Sequence, residues 1–340
     1  MEEELDGVFE AVSRYDFRNV CPAVNFGTAS DRYAGWIGQI YSPDWEPKVQ
    51  KRRKQLGGKS YAESVVPTEA VSEYFEHFSV LEIDFTFYRP LIESGGPGIN
   101  FRALEKYVEH APSSARFLVK APQVFCSPSL PGRGTNPDYL NRAEYDVTFG
   151  RPLEQVLGPQ LRGVIFEQGY IPRRESPSSE RHVDELERFC SAGRFGHAIH
   201  FEVRSSHLLT PLLFDWLAST GHGYVFSHWT WLPSIKNQWL AAGGFSSADG
   251  QAVLRLLTPR KMTYAKAYDL AHPFDRTIPE LSEAPGSKAM IDETVALAAK
   301  AMDSGHLVNI IVNNRAWGSG PELAVAVSNR LLEYLRKRPK

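Results

Sequence analysis

The sequence predicts an α/β chain folded as a (β/α)8 TIM-type barrel with long loops on the C-terminal face of the strands. Three observations carry that expectation. Eight short apolar runs alternate with helix-like segments, which requires parallel pairing and, at eight units, favours closure of the sheet. The first run continues as FGTASDRYAG and not as the G-x-G-x-x-G turn expected of the main rival, an open doubly wound sheet. The long irregular connections all follow strand ends, on the rim where barrel enzymes build their sites.

The runs, in order, are AVNFGT (23–28), VLEIDF (80–85), RFLVKAP (116–122), GVIFEQ (163–168), HAIHFEVR (197–204), GYVFSHW (223–229), AVLRLL (252–257) and LVNIIVNN (307–314). Each is short, β-prone and closed by turn chemistry. Helical spacing is read over 62–77, where Val66, Ala70, Tyr74 and His77 fall near one face. It recurs over 101–110, 183–190, 208–219, 289–304 and 321–336. Excursions are expected at 44–60, 126–147, 229–250 and 258–287. The third, which contains HWTWLPSIKNQW, is read as a lid or a partner surface. Residues 1–22 read as an N-terminal extension and 23–336 as a single barrel domain.

Composition bounds the function. The 340 residues are 42% hydrophobic and 12% aromatic, enough for one large core, and a net charge of −2 supplies no global field for DNA or an anionic membrane. The three cysteines are widely spaced and form no metal-ligand pair, so reduced thiols and a cytoplasmic location are expected. MEEELDGVFEAVSRYDF is acidic and lacks a signal-peptide core, and no run reaches the ~18 apolar residues of a membrane span.

The strand ends carry the chemistry. His200, Glu202 and Arg204 lie in register on one side of HFEVR, with Phe201 and Val203 on the other. Glu82 and Asp84 are likewise in phase, Lys120 ends the third run, Glu167 the fourth, Ser227-His228 the sixth, Arg255 lies in the seventh, and Asn313-Asn314 end the eighth. Alternate residues of a barrel strand point inward, so these groups should converge at the mouth as a wet pocket or an internal salt-bridge lattice. The lattice would pair Glu202 with Arg204 or Arg255, and Glu82 with Lys120.

FGTASDRYAGW, LEIDFTFYRP, FLVKAP, HFEVR, LRL and VNNRAWG, in that order and spacing, resemble the YecE-like family, a domain of unknown function, over about Asn25 to Leu332. The resemblance implies a TIM-type barrel and no agreed reaction or cofactor. The matching positions are Gly27, Thr28, Tyr33, Trp36, Glu82, Phe87, Tyr88, Lys120, Pro122, Glu202, Arg204, Arg255, Asn313 and Asn314. The chain departs from the pattern at Asp31 and Asp84, and at Ser127, Ser205 and Leu257, where the family usually has histidine.

The favoured function is an enzyme, or a former one, that binds a small anionic or phosphorylated substrate. Lys120, Arg204 and Arg255 would hold the anion, with Glu82, Glu202, Lys120 and Asp84 as the catalytic set. Thr28, Tyr33, Trp36, Tyr88, Asn313 and Asn314 would complete the substrate site. An alternative is a metal-dependent hydrolase in which Glu82, Asp84, Glu167 and Glu202 bind Mg²⁺ or Mn²⁺ beside His200 or His228, although no HExxH or other tight ligand spacing is present. A further alternative is nucleic-acid binding without catalysis through 48–59, KVQKRRKQLGGK, with six positive charges and no acid; otherwise that segment reads as a mobile surface loop.

Overall fold

A computed structural model describes residues 2–130, 132 and 134–338. Met1 of the expected extension, and residues 131 and 133 of the expected excursion at 126–147, lie outside the described residues. Eight parallel strands form a closed barrel: β1 (Val24–Ala29), β2 (Val80–Ile83), β3 (Arg116–Lys120), β4 (Leu161–Gln168), β5 (Ile199–Val203), β6 (Gly223–His228), β7 (Gln251–Leu256) and β8 (Leu307–Val312). Each pairs with the next in sequence, and β8 closes onto β1. Helices Val71–His77, Ile99–His110, Arg151–Leu157, Ser179–Ser191, Pro211–Thr220, Ile235–Ala242, Ser287–Asp303 and Gly320–Lys337 alternate with them.

Local chemistry explains the helix bounds. Ser178 caps Ser179–Ser191 by accepting from Arg181 N–H, and Val183, Leu186, Phe189 and Cys190 then repeat on one buried face. Pro211 opens the next helix, which Gly221 ends in the left-handed region at φ 72°.

Inside the ring, period-two alternation stacks the side chains in layers. Val80, Leu118, Ile165, Val225, Val253 and Ile311 form the apolar layer. Two residues further along their strands come Glu82, Lys120, Glu167, Ser227, Arg255 and Asn313, at the C-terminal end. The inward row of β5 runs His200, Glu202, Arg204, so the three ionisable groups of HFEVR occupy different depths. His200 lies at the opposite end, beside Gly163 and Gly223, and a Cβ at Gly223 would stand 2.0 Å from its Nδ1.

Three sequence expectations change. The helix expected over 62–77 begins only at Val71, because Lys59–Val65 pairs with Gln50–Leu56 as an antiparallel hairpin. Its turn is Gly57-Gly58, both at positive φ, the conformation a two-residue hairpin turn needs, and Pro67 disfavours helix just before it. The basic segment is therefore a folded ribbon. Lys59 and Tyr61 bond to Asp269 at 2.7 and 2.9 Å, and Lys54 pairs with Glu63 at 3.3 Å. The expected excursion at 229–250 holds the barrel helix Ile235–Ala242, capped by Ser234. Its tryptophans diverge: Trp229 stacks on Arg204, Trp239 packs on Phe226 and Phe245, and Trp231 is exposed.

Helix Glu2–Ser13 packs along Gly320–Lys337, where Tyr15 OH donates to Glu322 at 2.6 Å, and Val12, Phe17 and Val20 join the main core. Among the described residues no helix is long and apolar enough to cross a membrane.

Candidate functional site

The strand-end charges converge. Arg255 Nε and Nη2 donate to the two oxygens of Glu82 at 2.8 and 2.6 Å, a bidentate pair. Its Nη1 donates to Glu167 at 3.1 Å and to Glu202. One oxygen of Glu167 also receives Lys120 Nζ at 2.7 Å and Arg204 Nη2 at 2.8 Å. Glu202 accepts from Ser227 Oγ at 2.7 Å and stands 3.4 Å from Arg204 Nε. Two of the cations rest on aromatic faces, Lys120 on Phe87 at 3.9 Å and Arg204 on Trp229 at 4.1 Å.

Three acids thus meet three bases in a self-neutralised lattice whose side chains are at most 14% exposed. Glu202 meets both Arg204 and Arg255, as expected, but Glu82 and Lys120 do not pair: Glu82 meets Arg255 across the ring, and Lys120 meets Glu167. Burial raises Glu82, and the Arg255 guanidinium pulls it back. Burial alone would also raise Glu167, yet Arg204, Lys120 and Arg255 hold it well below the carboxylate range. The Arg255 guanidinium, although buried, is kept charged by Glu202, Glu82 and Glu167.

Beside the lattice, over the ends of β8, β1 and β2, opens a cavity of about 630 Å³. Asp84, Tyr33, Tyr88, Asn313 and Asn314 line it, as do Arg32, Arg315 and Tyr264, the first residue of helix Tyr264–Ala271. The hairpin closes one side with Arg52, Lys54 and Glu63, all on the face that its period-two register turns inward. Lys54 and Glu63 are paired, but no described carboxylate lies within salt-bridge distance of Arg32, Arg52 or Arg315. Arg32 Nε donates to the Val66 carbonyl at 2.8 Å, and the Arg315 guanidinium stacks on Tyr264 at 4.3 Å with its Nε buried and unpartnered. Asp84 is the converse, a carboxylate on the wall with no described cation within that distance. Burial raises Tyr33 well above the ordinary phenol value, and Asp84 adds to the rise.

The candidate residues therefore divide. Glu82, Lys120, Glu202, Arg204 and Arg255 form the lattice. Asp84, Tyr33, Tyr88, Asn313 and Asn314 face the cavity. Thr28 and Trp36 stand behind it: Thr28 donates to Ser30 O at 2.7 Å, and Trp36 Nε1 to Asn314 Oδ1 at 3.2 Å. The same Asn314 oxygen accepts from Gly320 N–H, leaving its buried Nδ2 without a partner. Arg32, Arg52, Arg315 and Tyr264 were not singled out from the sequence. Arg32 and Arg315 sit inside the motifs DRY and NNR, and a period-two reading of KRRKQL would have put Arg52 and Lys54 on one face.

Three of the four acids proposed as metal ligands face cations, with Arg255 seated between Glu82, Glu167 and Glu202, while Asp84 faces the cavity. His200 lies at the far end of the barrel. His228 is buried with both ring nitrogens unpartnered and is pushed down to about 4 by burial. Among the described residues no three His, Cys, Asp or Glu side chains stand together as a metal site.

A family model described as "Protein of unknown function DUF72" matches residues 45–340. Among solved structures, a DUF72 family protein from Thermotoga maritima is similar over 91% of this chain and 99% of its own, at 13% identity and a TM-score of 0.51. A DUF72 family protein from Enterococcus faecalis is similar over 93% of this chain and 98% of its own, at 12% identity and a TM-score of 0.49. No curated protein matches.

Proposed function

Because the chain belongs to the DUF72 family, which brings a fold and no assigned activity, we propose from its own residues that the barrel binds a small anionic or phosphorylated molecule in the cavity at its mouth. The observation that carries the reading is the set Arg32, Arg52 and Arg315: three guanidinium groups on a tyrosine-lined wall, none with a described carboxylate partner. Such groups bind phosphate and carboxylate through planar, charge-assisted bonds, and a partly dry pocket strengthens each one. Lys120, Arg204 and Arg255 have their charge spent on Glu82, Glu167 and Glu202, and in this reading they are the floor that holds the mouth in shape. Asp84, unpaired on the same wall, is the group that would accept a proton, or a hydrogen bond from a hydroxyl, of the bound molecule.

The test is a thermal-shift screen of the full chain against inorganic phosphate, sugar phosphates, nucleotides and organic acids. A ligand at 100 times its Kd adds about 2.7 kcal/mol of stability. Stabilisation that disappears in Arg52→Gln and Arg315→Gln is the expected result. A flat response across the panel, or a response untouched by both substitutions, overturns the reading.

A further inference from the structure

The three free arginines are not one cluster. Arg32 leaves the end of β1, and Arg52 reaches down from the hairpin beside it. Burial and the neighbouring Arg32 guanidinium both lower the basicity of Arg52, so two like charges are held close together, with Glu63 and Asp31 near them but neither within salt-bridge distance. Ile99 and Asn100, in the first turn of helix Ile99–His110, line the same side. Glu93 stands at the Gly98 cap of that turn, so the start of the helix already has an acid beside it and is excluded as an anion holder.

The second positive region is built from other elements. Arg315 follows β8 and stacks on Tyr264, which follows β7. Here the unpartnered polar atoms are buried: Arg315 Nε and Asn314 Nδ2, the latter on a side chain only 2% exposed in the cavity wall. Both are donors. Asp84 acts on both regions, raising Tyr33 and Tyr88 near Arg315 and Tyr107 near Arg32. The cavity wall therefore carries two basic groups drawn from different elements, with Asp84 on the same wall.

We propose that the ligand carries two separate anionic groups, one held by Arg32 and Arg52, the other by Arg315 and Asn314. The assignment rests on the anion-binding reading above and narrows it to bis-anionic compounds, such as bisphosphates or phosphorylated acids. A ligand with one anionic group engages only one of the two basic groups. A ligand with two converts the second contact into an intramolecular one, and its affinity gains accordingly.

The test uses alkane-α,ω-diphosphonates of graded chain length, each titrated calorimetrically against the alkylphosphonate of equal length. One chain length should bind at least ~10-fold more tightly than its monophosphonate. Arg52→Gln and Arg315→Gln, each with an unchanged circular dichroism spectrum, should both return that diphosphonate to the affinity of the monophosphonate. Monophosphonate binding without a gain at any length overturns the two-anion site and leaves the anion-binding reading intact. A gain that survives either substitution also overturns it. Absence of all phosphonate and phosphate binding removes both readings.

Discussion

Replacing Arg255 with methionine is the sharpest test of the ion-pair lattice. Glu167 would keep Lys120 at 2.7 Å and Arg204 at 2.8 Å, and Glu202 would keep Ser227 at 2.7 Å. Glu82 would be stranded, because both its oxygens bond to Arg255 and its side chain is fully buried. Removing one partner of a buried pair costs about 3–5 kcal/mol, a large part of the roughly 5–15 kcal/mol that holds a domain folded. The cost should depend on pH with a definite sign. A stranded Glu82 has a folded pKa above its unfolded value, so its contribution is fully present below the unfolded pKa and lost as pH rises through the folded one. Arg255→Met should therefore be nearer wild type at pH 5 than at pH 7.5. The double variant Arg255→Met, Glu82→Gln, with no stranded charge, should recover about 1–3 kcal/mol. Urea unfolding followed by circular dichroism reads all of these. An Arg255→Met protein within ~1 kcal/mol of wild type at pH 7.5, or a double variant no more stable than the single, would refute the argument.

Other substitutions probe other parts of the molecule. At Gly27 a Cβ would sit 2.0 Å from the Val80 carbonyl oxygen, so Gly27→Ala must push β1 and β2 apart and should cost about 3 kcal/mol in urea unfolding. His228 stays neutral when folded, pushed down to about 4, and takes up its proton near 6.5 when unfolded. Its contribution is present above the unfolded value and lost as pH falls from 6.5 towards 4, by up to ~3 kcal/mol. His228→Leu, which leaves no broken hydrogen bond, should flatten the pH dependence of Tm across that window. Asp31 works in the opposite sense, because burial raises it to about 6 against an opposing bond from Tyr107. Its contribution is present below ~4 and lost as pH rises through 6, so Asp31→Asn should steepen the acid-side loss. Asp269→Ala frees Lys59 and Tyr61, and trypsin should then cut at Lys51 and Arg53 faster while the Tm of the barrel holds.

Much of this architecture is legible in the sequence. The eight apolar runs are the eight strands, because a strand buried in a parallel barrel must read as a short apolar run. That Glu82, Lys120, Glu202 and Arg255 share the mouth also followed from local geometry, since a strand alternates faces with period two and strand ends meet at one rim. The hairpin was missed although its signal was present: Gly57-Gly58 between two alternating segments was outweighed by an apparent helical face that Pro67 interrupts.

The pairing of Glu202 with Arg204 and Arg255 was legible, but the partners of Glu82 and Lys120 were not. Glu82 and Arg255 are 173 residues apart, and whether Glu82 takes Arg255 or Lys120 depends on the stagger of the closed ring, to which every strand contributes. The same nonlocality decided that the charges foreseen as ligand-binding neutralise one another, while Arg32, Arg52 and Arg315 end without a described carboxylate partner. The sequence by itself determined which face each side chain shows, a matter of one or two bonds of backbone. Only the tertiary structure decided which of those faces remained unsatisfied, because pairing is settled by distances that closure of the barrel sets.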